Sequence, residues 1–258
     1  MTRVTIDDRF DGPVLDTERW VPHYLPQWTT PDRSAARYDL APEGLRLRID
    51  ADQPAWREAD GPMRVSNLQT ATFSGPLGSA VGTHRHRPDG LVVATEQPTR
   101  VLWAEAAGEV EVRASASTDP RCMLGLWLVG TEVSGPQDAG ELCLAELFGD
   151  LRSPGRSTVR LGVKAHHDPR LVDDVEDVVL GIDTAEPHTY AVRWHDDEVT
   201  FLVDGAVVKT CRQRLGYDLQ LMVSLFEFPD DAPRDPSAYP RTALVHEVHA
   251  RPHPARSA

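Results

Sequence analysis

An all-β fold, a β-sandwich of the jelly-roll kind, is predicted for this chain by three observations. Apolar residues recur with a period of two rather than 3.6. No stretch carries a sustained helical stripe. Finally, 21 Pro and 18 Gly divide the chain into short segments at turn-punctuated spacing. Residues 44–50, GLRLRID, alternate Leu45, Leu47 and Ile49 against Arg46, Arg48 and Asp50, the pattern of a half-buried strand. Residues 109–117 alternate in the same way. Residues 123–130, MLGLWLVG, are continuously apolar, as a strand covered on both faces would be. Residues 157–167 alternate Val159, Leu161 and Val163. Residues 188–210 read as three strands, with turns at HDDE and at Asp204-Gly205, a pair suited to the positive φ angles of a tight hairpin. Residues 218–228 and 242–250 close the series. The long connections 51–66, 74–100, 130–139 and 228–241 are expected to shape a site or to pack as surface flaps.

The 258 residues contain no internal repeat, low-complexity tract or interdomain linker. One domain over 1–258 is expected, with a loose tail from about residue 252. A net charge of −13 argues against nucleic acid and against an anionic membrane surface as partners. No apolar run is long enough to span a bilayer. The first residues lack a basic-then-apolar signal pattern, so the sequence as written points to the cytoplasm, or to secretion if a leader has been removed. The three cysteines, Cys122, Cys143 and Cys211, form no CxxC pair and are too few for a disulfide framework, which fits reduced thiols.

The chemistry concentrates in residues 139–150, AGELCLAELFGD. Strict strand alternation places Glu141, Cys143 and Ala145 on one face and Leu142, Leu144 and Glu146 on the other, so that Glu146 points into the core. An unpaired buried carboxylate is costly. A β-bulge near Leu144–Ala145 removes the conflict, returning Glu146 to the face of Glu141 and leaving Leu147 on the core face. The two carboxyl groups then face one site. A separation of about 5–5.5 Å would suit a retaining glycosidase and about 6.5–9.5 Å an inverting one, and spacing in sequence does not choose between them.

This stretch resembles the active-site strand of glycoside hydrolase family 16, a family of the concanavalin A-like lectin/glucanase superfamily. The signature there is E-x-D-x-x-E, flanked by glycines. Gly140, Glu141, Glu146 and Gly149 match, and Cys143 stands in place of the Asp. The resemblance extends to FDGPVLDTERW (10–20), to GEVEVRASASTDPRCMLGLWLVG (108–130) and to HTYAVRWHDDEVTFLVDG (188–205). ALVHEVHARP (243–252) takes the place of the family's last strand, and the pieces recur in family order. The resemblance implies a retaining endo-type hydrolase of β-linked glycans, such as a β-1,3- or mixed-linkage glucan or a related β-galactan. Glu141 would be the nucleophile and Glu146 the general acid/base. Cys143, the catalytic-motif position that departs from the family, is a weak donor. Between two carboxylates its thiol should stay neutral. The alternatives are a non-catalytic or weakly active glycan-binding jelly roll and a transglycosylase. The expected partner is a β-linked oligo- or polysaccharide.

Among further candidates for substrate binding, Trp103 and Trp127 are the leading aromatic platforms, ahead of Trp28 and Trp56. Trp20 and Trp194 match positions that pack. Asn67 and Gln69 lie on one face of RVSNLQTATFSG (64–75), which resembles a strand bordering the family's cleft. His166 in VKAHHDP matches a cleft-facing histidine able to contact Glu146 or the sugar. Glu227, beside Phe226 in SLFEFP, is a candidate for holding a hydroxyl. His84 and His86 would share a strand face, but no carboxylate or cysteine completes a metal set in the sequence, and His246, His249 and His253 read as surface residues. No metal ligand is assigned and no cofactor is expected. The fold is compatible with a structural calcium ion, but no sequence position marks one.

Overall fold

The alternating segments form strands throughout, and two sheets stack with their apolar faces together. The computed structural model describes residues 5–87, 89–229 and 235–253. In chain order the first strands are β1 (Ile6–Asp8), β2 (Arg37–Ala41), β3 (Gly44–Ile49), β4 (Arg64–Gln69), β5 (Ala71–Thr72), β6 (Arg100–Val101), β7 (Gly108–Ser115) and β8 (Cys122–Gly130). They continue as β9 (Glu141–Phe148), β10 (Arg152–Ser153), β11 (Arg156–Lys164), β12 (Asp174–Leu180) and β13 (His188–His195). The last are β14 (Glu198–Val203), β15 (Ala206–Cys211), β16 (Leu219–Glu227) and β17 (Arg241–Pro252). The α-helix among the described residues is a single turn, Pro31–Ser34.

One sheet runs β15-β14-β13-β7-β17-β3-β2, with β1 also paired to β17; the other runs β10-β11-β9-β8-β16-β4, with β12 also paired to β11. The alternation read from sequence sets the faces. Leu45, Leu47 and Ile49 of β3 and Val110 and Val112 of β7 meet Leu124, Leu126 and Leu128 of β8 and Val159, Leu161 and Val163 of β11 in one buried core. Strand β8 is buried along its whole length, as its apolar run predicts. Asp204 and Gly205, with φ of 49° and 79°, turn β14 into β15, and Asp196, with φ of 52°, lies in the HDDE turn between β13 and β14. The final strand runs to Pro252, two residues past the 242–250 stretch read from sequence; residues 254–258, most of the expected loose tail, lie outside the described residues, as does part of the 228–241 connection.

The far face of the second sheet, away from the main core, is not left open on its β4–β16–β8 side. Tyr24, Leu25, Trp28, Trp56, Leu91 and Val93 from the long connections pack there on Val65, Met123, Trp127, Met222 and Phe226. The connections fasten themselves by their polar groups: the Trp56 indole donates to the Tyr24 carbonyl at 3.0 Å and the Trp28 indole to the Thr83 carbonyl at 3.0 Å. β9 and β11 follow β8 in this sheet, beside the covered side, and they carry the site.

Gly162 of β11 lies opposite Cys143 at a φ of +141°, and a Cβ there would come within 2.1 Å of the Asp174 carbonyl oxygen. Gly162→Ala is expected to destabilise the protein by about 2–4 kcal/mol, because backbone strain adds to overlap with backbone that cannot rotate aside. The check is a lower urea midpoint with an unchanged slope.

Candidate active site

Strand β9 carries the predicted bulge. Across from it on β8, Leu126 faces Ala145 and Trp127 faces Cys143, so Leu144 is the extra residue. On the other side Arg160 faces Glu146 and Gly162 faces Cys143, two steps on β11 against three on β9. Leu142, Leu144, Ala145 and Leu147 therefore all enter the main core, and Cys143 joins the apolar cluster of the opposite face. Glu141 and Glu146 come to that same face, nearly buried at 3% and 7% exposure. One oxygen of each carboxylate and the Cys143 sulfur lie within 4.8 Å of one another.

The flanking glycines of the motif are required by close approach. A Cβ on Gly140 would lie 2.4 Å from the Tyr217 hydroxyl, and one on Gly149 would lie 2.0 Å from the Asp119 carbonyl oxygen. The Gly140 amide donates to the Tyr217 hydroxyl at 3.0 Å, and that hydroxyl donates to Asp168 Oδ2 at 2.8 Å. This chain fixes the entry to β9 immediately before Glu141.

A group absent from the sequence candidates stands between the carboxylates. Lys164, opposite Glu141 in the β9–β11 register, places its Nζ 3.0 Å from Glu141 Oε1 and 2.6 Å from Glu146 Oε1. The ammonium also lies 5.8 Å from the Trp127 ring centroid. The cation offsets the repulsion between two carboxylates held this close. Burial pushes the Glu141 carboxyl up, but the Lys164 ammonium and then the His166 hydrogen bond outweigh it and hold Glu141 well below the usual carboxylate range. Burial works to lower Lys164, yet Glu141 and its neighbours hold it above its ordinary value. The signal for Lys164 was its place in the alternating strand, two residues before His166. Only the β9–β11 register shows what it faces.

His166, just beyond β11, contacts Glu141 rather than Glu146: its Nε2 lies 2.9 Å from Glu141 Oε2. His84 stands edge-on to it, with ring centroids 4.8 Å apart. His84 was expected on the surface of a strand with His86. It is instead half-buried in a non-strand connection at a φ of 54°, with its amide donating to Glu132. Burial, reinforced by His166, pushes the His84 imidazole down to about 3, so it stays neutral. Burial likewise pushes the Glu132 carboxyl up to about 8. Glu132 lines a cavity of about 700 Å³ with Arg85, Val133 and His167, next to the histidine end of the site.

Cys143 is fully buried. Burial, then the Glu146 carboxylate, pushes its thiol well above the usual range, in line with a neutral filler of the Asp position. Trp127 does lie on the site face, and its ring covers Gly125, where a Cβ would come within 2.4 Å of it. Four other candidates do not serve the site. Trp103 is packed in the main core between the sheets. Asn67 and Gln69 are fully buried, and each spends its amide on the 20s connection or nearby backbone. Asn67 donates to the His23 carbonyl at 2.6 Å and accepts from Ser224 at 2.6 Å. Gln69 accepts from the Leu25 amide at 3.0 Å and donates to the Ala71 carbonyl at 2.6 Å. Glu227 continues the row of Leu221, Val223 and Leu225 on β16, the face turned away from the site, and is held by Tyr239 at 2.6 Å with Arg64 and Arg241 each 3.6 Å away.

A sequence model of Glycosyl hydrolases family 16 matches residues 161–229, from within β11 to just past β16. None of the curated proteins compared matches the sequence significantly. Among solved structures, the GlcNAcα1-4Gal-releasing endo-β-galactosidase from Clostridium perfringens superposes with a TM-score of 0.80 at 22% identity, covering 95% of this chain. This chain spans 61% of the length of that one. The laminarinase from Rhodothermus marinus superposes at 0.65 with 16% identity, over 96% of each chain. The Bacillus licheniformis β-glucanase does so at 0.63 with 13% identity, over 98% of this chain and 100% of that one. At these identities the superpositions establish the fold. The chain thus has the jelly-roll fold of glycosyl hydrolase family 16 and carries a segment recognised by that family's sequence model, as its motif implied.

Proposed function

We propose that this protein is a retaining hydrolase of β-linked glycans. The observation that carries the reading is the pair Glu141 and Glu146, brought by a bulge to one face with oxygens within 4.8 Å. That spacing is nearer the roughly 5–5.5 Å of a retaining pair than the roughly 6.5–9.5 Å of an inverting one. Glu141, held ionised by Lys164 and His166, attacks the anomeric carbon. The glycosidic C–O bond breaks as Glu146 gives its proton to the leaving oxygen. Glu146 then takes a proton from water, whose oxygen displaces Glu141 from the sugar. For the first step the leaving oxygen must take the place of the Lys164 contact on Glu146, which lies at 2.6 Å. Trp127 offers an aromatic edge on the same face. The names of the similar structures point to β-glucans and β-galactans as the first substrates to try.

The near-complete burial of both carboxylates favours a second reading, a glycan-binding protein with little or no hydrolysis. A screen of β-glucans and β-galactans for new reducing ends, with wild type and Glu141→Gln, separates the two. Hydrolysis is supported by release that the variant loses. Binding of a glycan without release by wild type would establish the second reading instead.

A further inference from the structure

We propose that His84, His166 and Glu141 form a binding site for a divalent transition-metal ion, with zinc as the first ion to test. The three residues come from separate parts of the chain: the connection before β6, the residues after β11, and the start of β9. One ligand atom of each lies within 4.8 Å of the others. Two imidazoles and a carboxylate are a donor set that zinc takes in three-ligand sites, leaving the fourth position to water.

The geometry is close to what the ion needs. Zinc–nitrogen and zinc–oxygen bonds of about 2.0–2.2 Å in a tetrahedron put ligand atoms roughly 3.3 Å apart. His166 Nε2 and Glu141 Oε2 already stand 2.9 Å apart, and a ligand atom of His84 lies within 4.8 Å of one on each of them. No hydrogen bond to the His84 ring is made among the described residues, so the ring is available as a ligand. His84 and His166 both hold φ values, 54° and 48°, that residues other than glycine rarely adopt. Two such positions facing one carboxylate mark a place where the fold constrains side-chain direction.

The charge balance also permits an added cation. Two carboxylates face one ammonium, and the Lys164 ammonium sits on Glu141 Oε1, leaving Oε2 for the metal. Arg160 is engaged by Asp177 at 2.7 and 3.1 Å and approaches Glu146 only at 3.9 Å. His86, which the sequence grouped with His84, is turned to Asp60 at 3.3 Å and does not belong to the set. Metal occupancy would engage the Glu141 oxygen that accepts from His166, so zinc would also inhibit hydrolysis. That consequence rests on the nucleophile role proposed above, while the metal site itself does not.

The test is calorimetric titration of zinc chloride into the chelator-treated full chain. One ion per chain is expected for wild type and for His86→Ala, and an affinity at least tenfold weaker for His84→Ala and for His166→Gln. Cobalt(II) in place of zinc should give a visible absorption band that the two weakened variants lose. Thermal unfolding of each variant in chelator shows whether it is folded, and His84→Gln replaces His84→Ala if that variant is not. Absence of saturable binding by wild type, or binding that survives the loss of both His84 and His166, would overturn the site. Zinc binding together with undiminished hydrolysis would keep the site and remove Glu141 as the nucleophile.

Discussion

Glu141→Gly is expected to lower glycan hydrolysis on the order of 10³-fold or more, and added azide to restore turnover with a glycosyl azide of inverted configuration as the product. The reasoning is geometric. Removal of the carboxylate from the nucleophile position leaves a space at the anomeric carbon that a small anion can occupy, and Glu146 remains to protonate the leaving oxygen. Glu146→Ala should behave in the opposite sense. It slows substrates with poor leaving groups most, and azide then captures the glycosyl-enzyme to give a product of retained configuration. Product configuration read by NMR assigns the two roles independently of rate. Retained configuration from the Glu141 variant and inverted from the Glu146 variant would exchange them.

Lys164→Met is expected to cost about 3–5 kcal/mol, because it leaves two nearly buried carboxylates facing each other with their cation gone. For a chain of this length that corresponds to a fall in Tm of roughly 10 °C. The loss should depend on pH with a definite sign. In wild type Glu141 is held below its unfolded value, so its contribution is full above about 4.5 and is lost as pH falls toward the folded value. In the variant the unneutralised carboxylates bind protons more readily when folded, so its stability rises as pH falls. The two curves therefore converge in acid. Adding Glu146→Gln to Lys164→Met should recover much of the loss, since the remaining carboxylate no longer faces a like charge; the double-mutant cycle measures that coupling. A Lys164→Met protein as stable as wild type at pH 7 would mean that the ammonium does not hold the pair.

The bulge was legible because sequence and energetics conflict there: strict alternation would bury Glu146 among leucines, and one extra residue is the least costly escape. The placing of the two glutamates followed from that local argument, whereas the flanking glycines and the place of Cys143 came from the family resemblance. Candidates on other strands fared worse for a common reason. Asn67, Gln69 and Glu227 have side chains that could serve a sugar as well as backbone or an ion pair, and nothing in their own segments states which group arrives opposite them. Trp103 follows a short strand pair with no alternation to fix its face, and it turned into the core.

The sequence by itself determined the strands, the side of each that is apolar, the bulge and the two carboxylates it aligns. Each of these depends on residues within a few positions of one another, through the period of two and the cost of burying a charge. Only the tertiary structure decided that Lys164 bridges the carboxylates, that His84 reaches His166, and that connections before β2, β4 and β6 roof one side of the sheet. Those contacts join residues 18 or more positions apart. They are set by strand register and by the path of long connections, which no local pattern specifies.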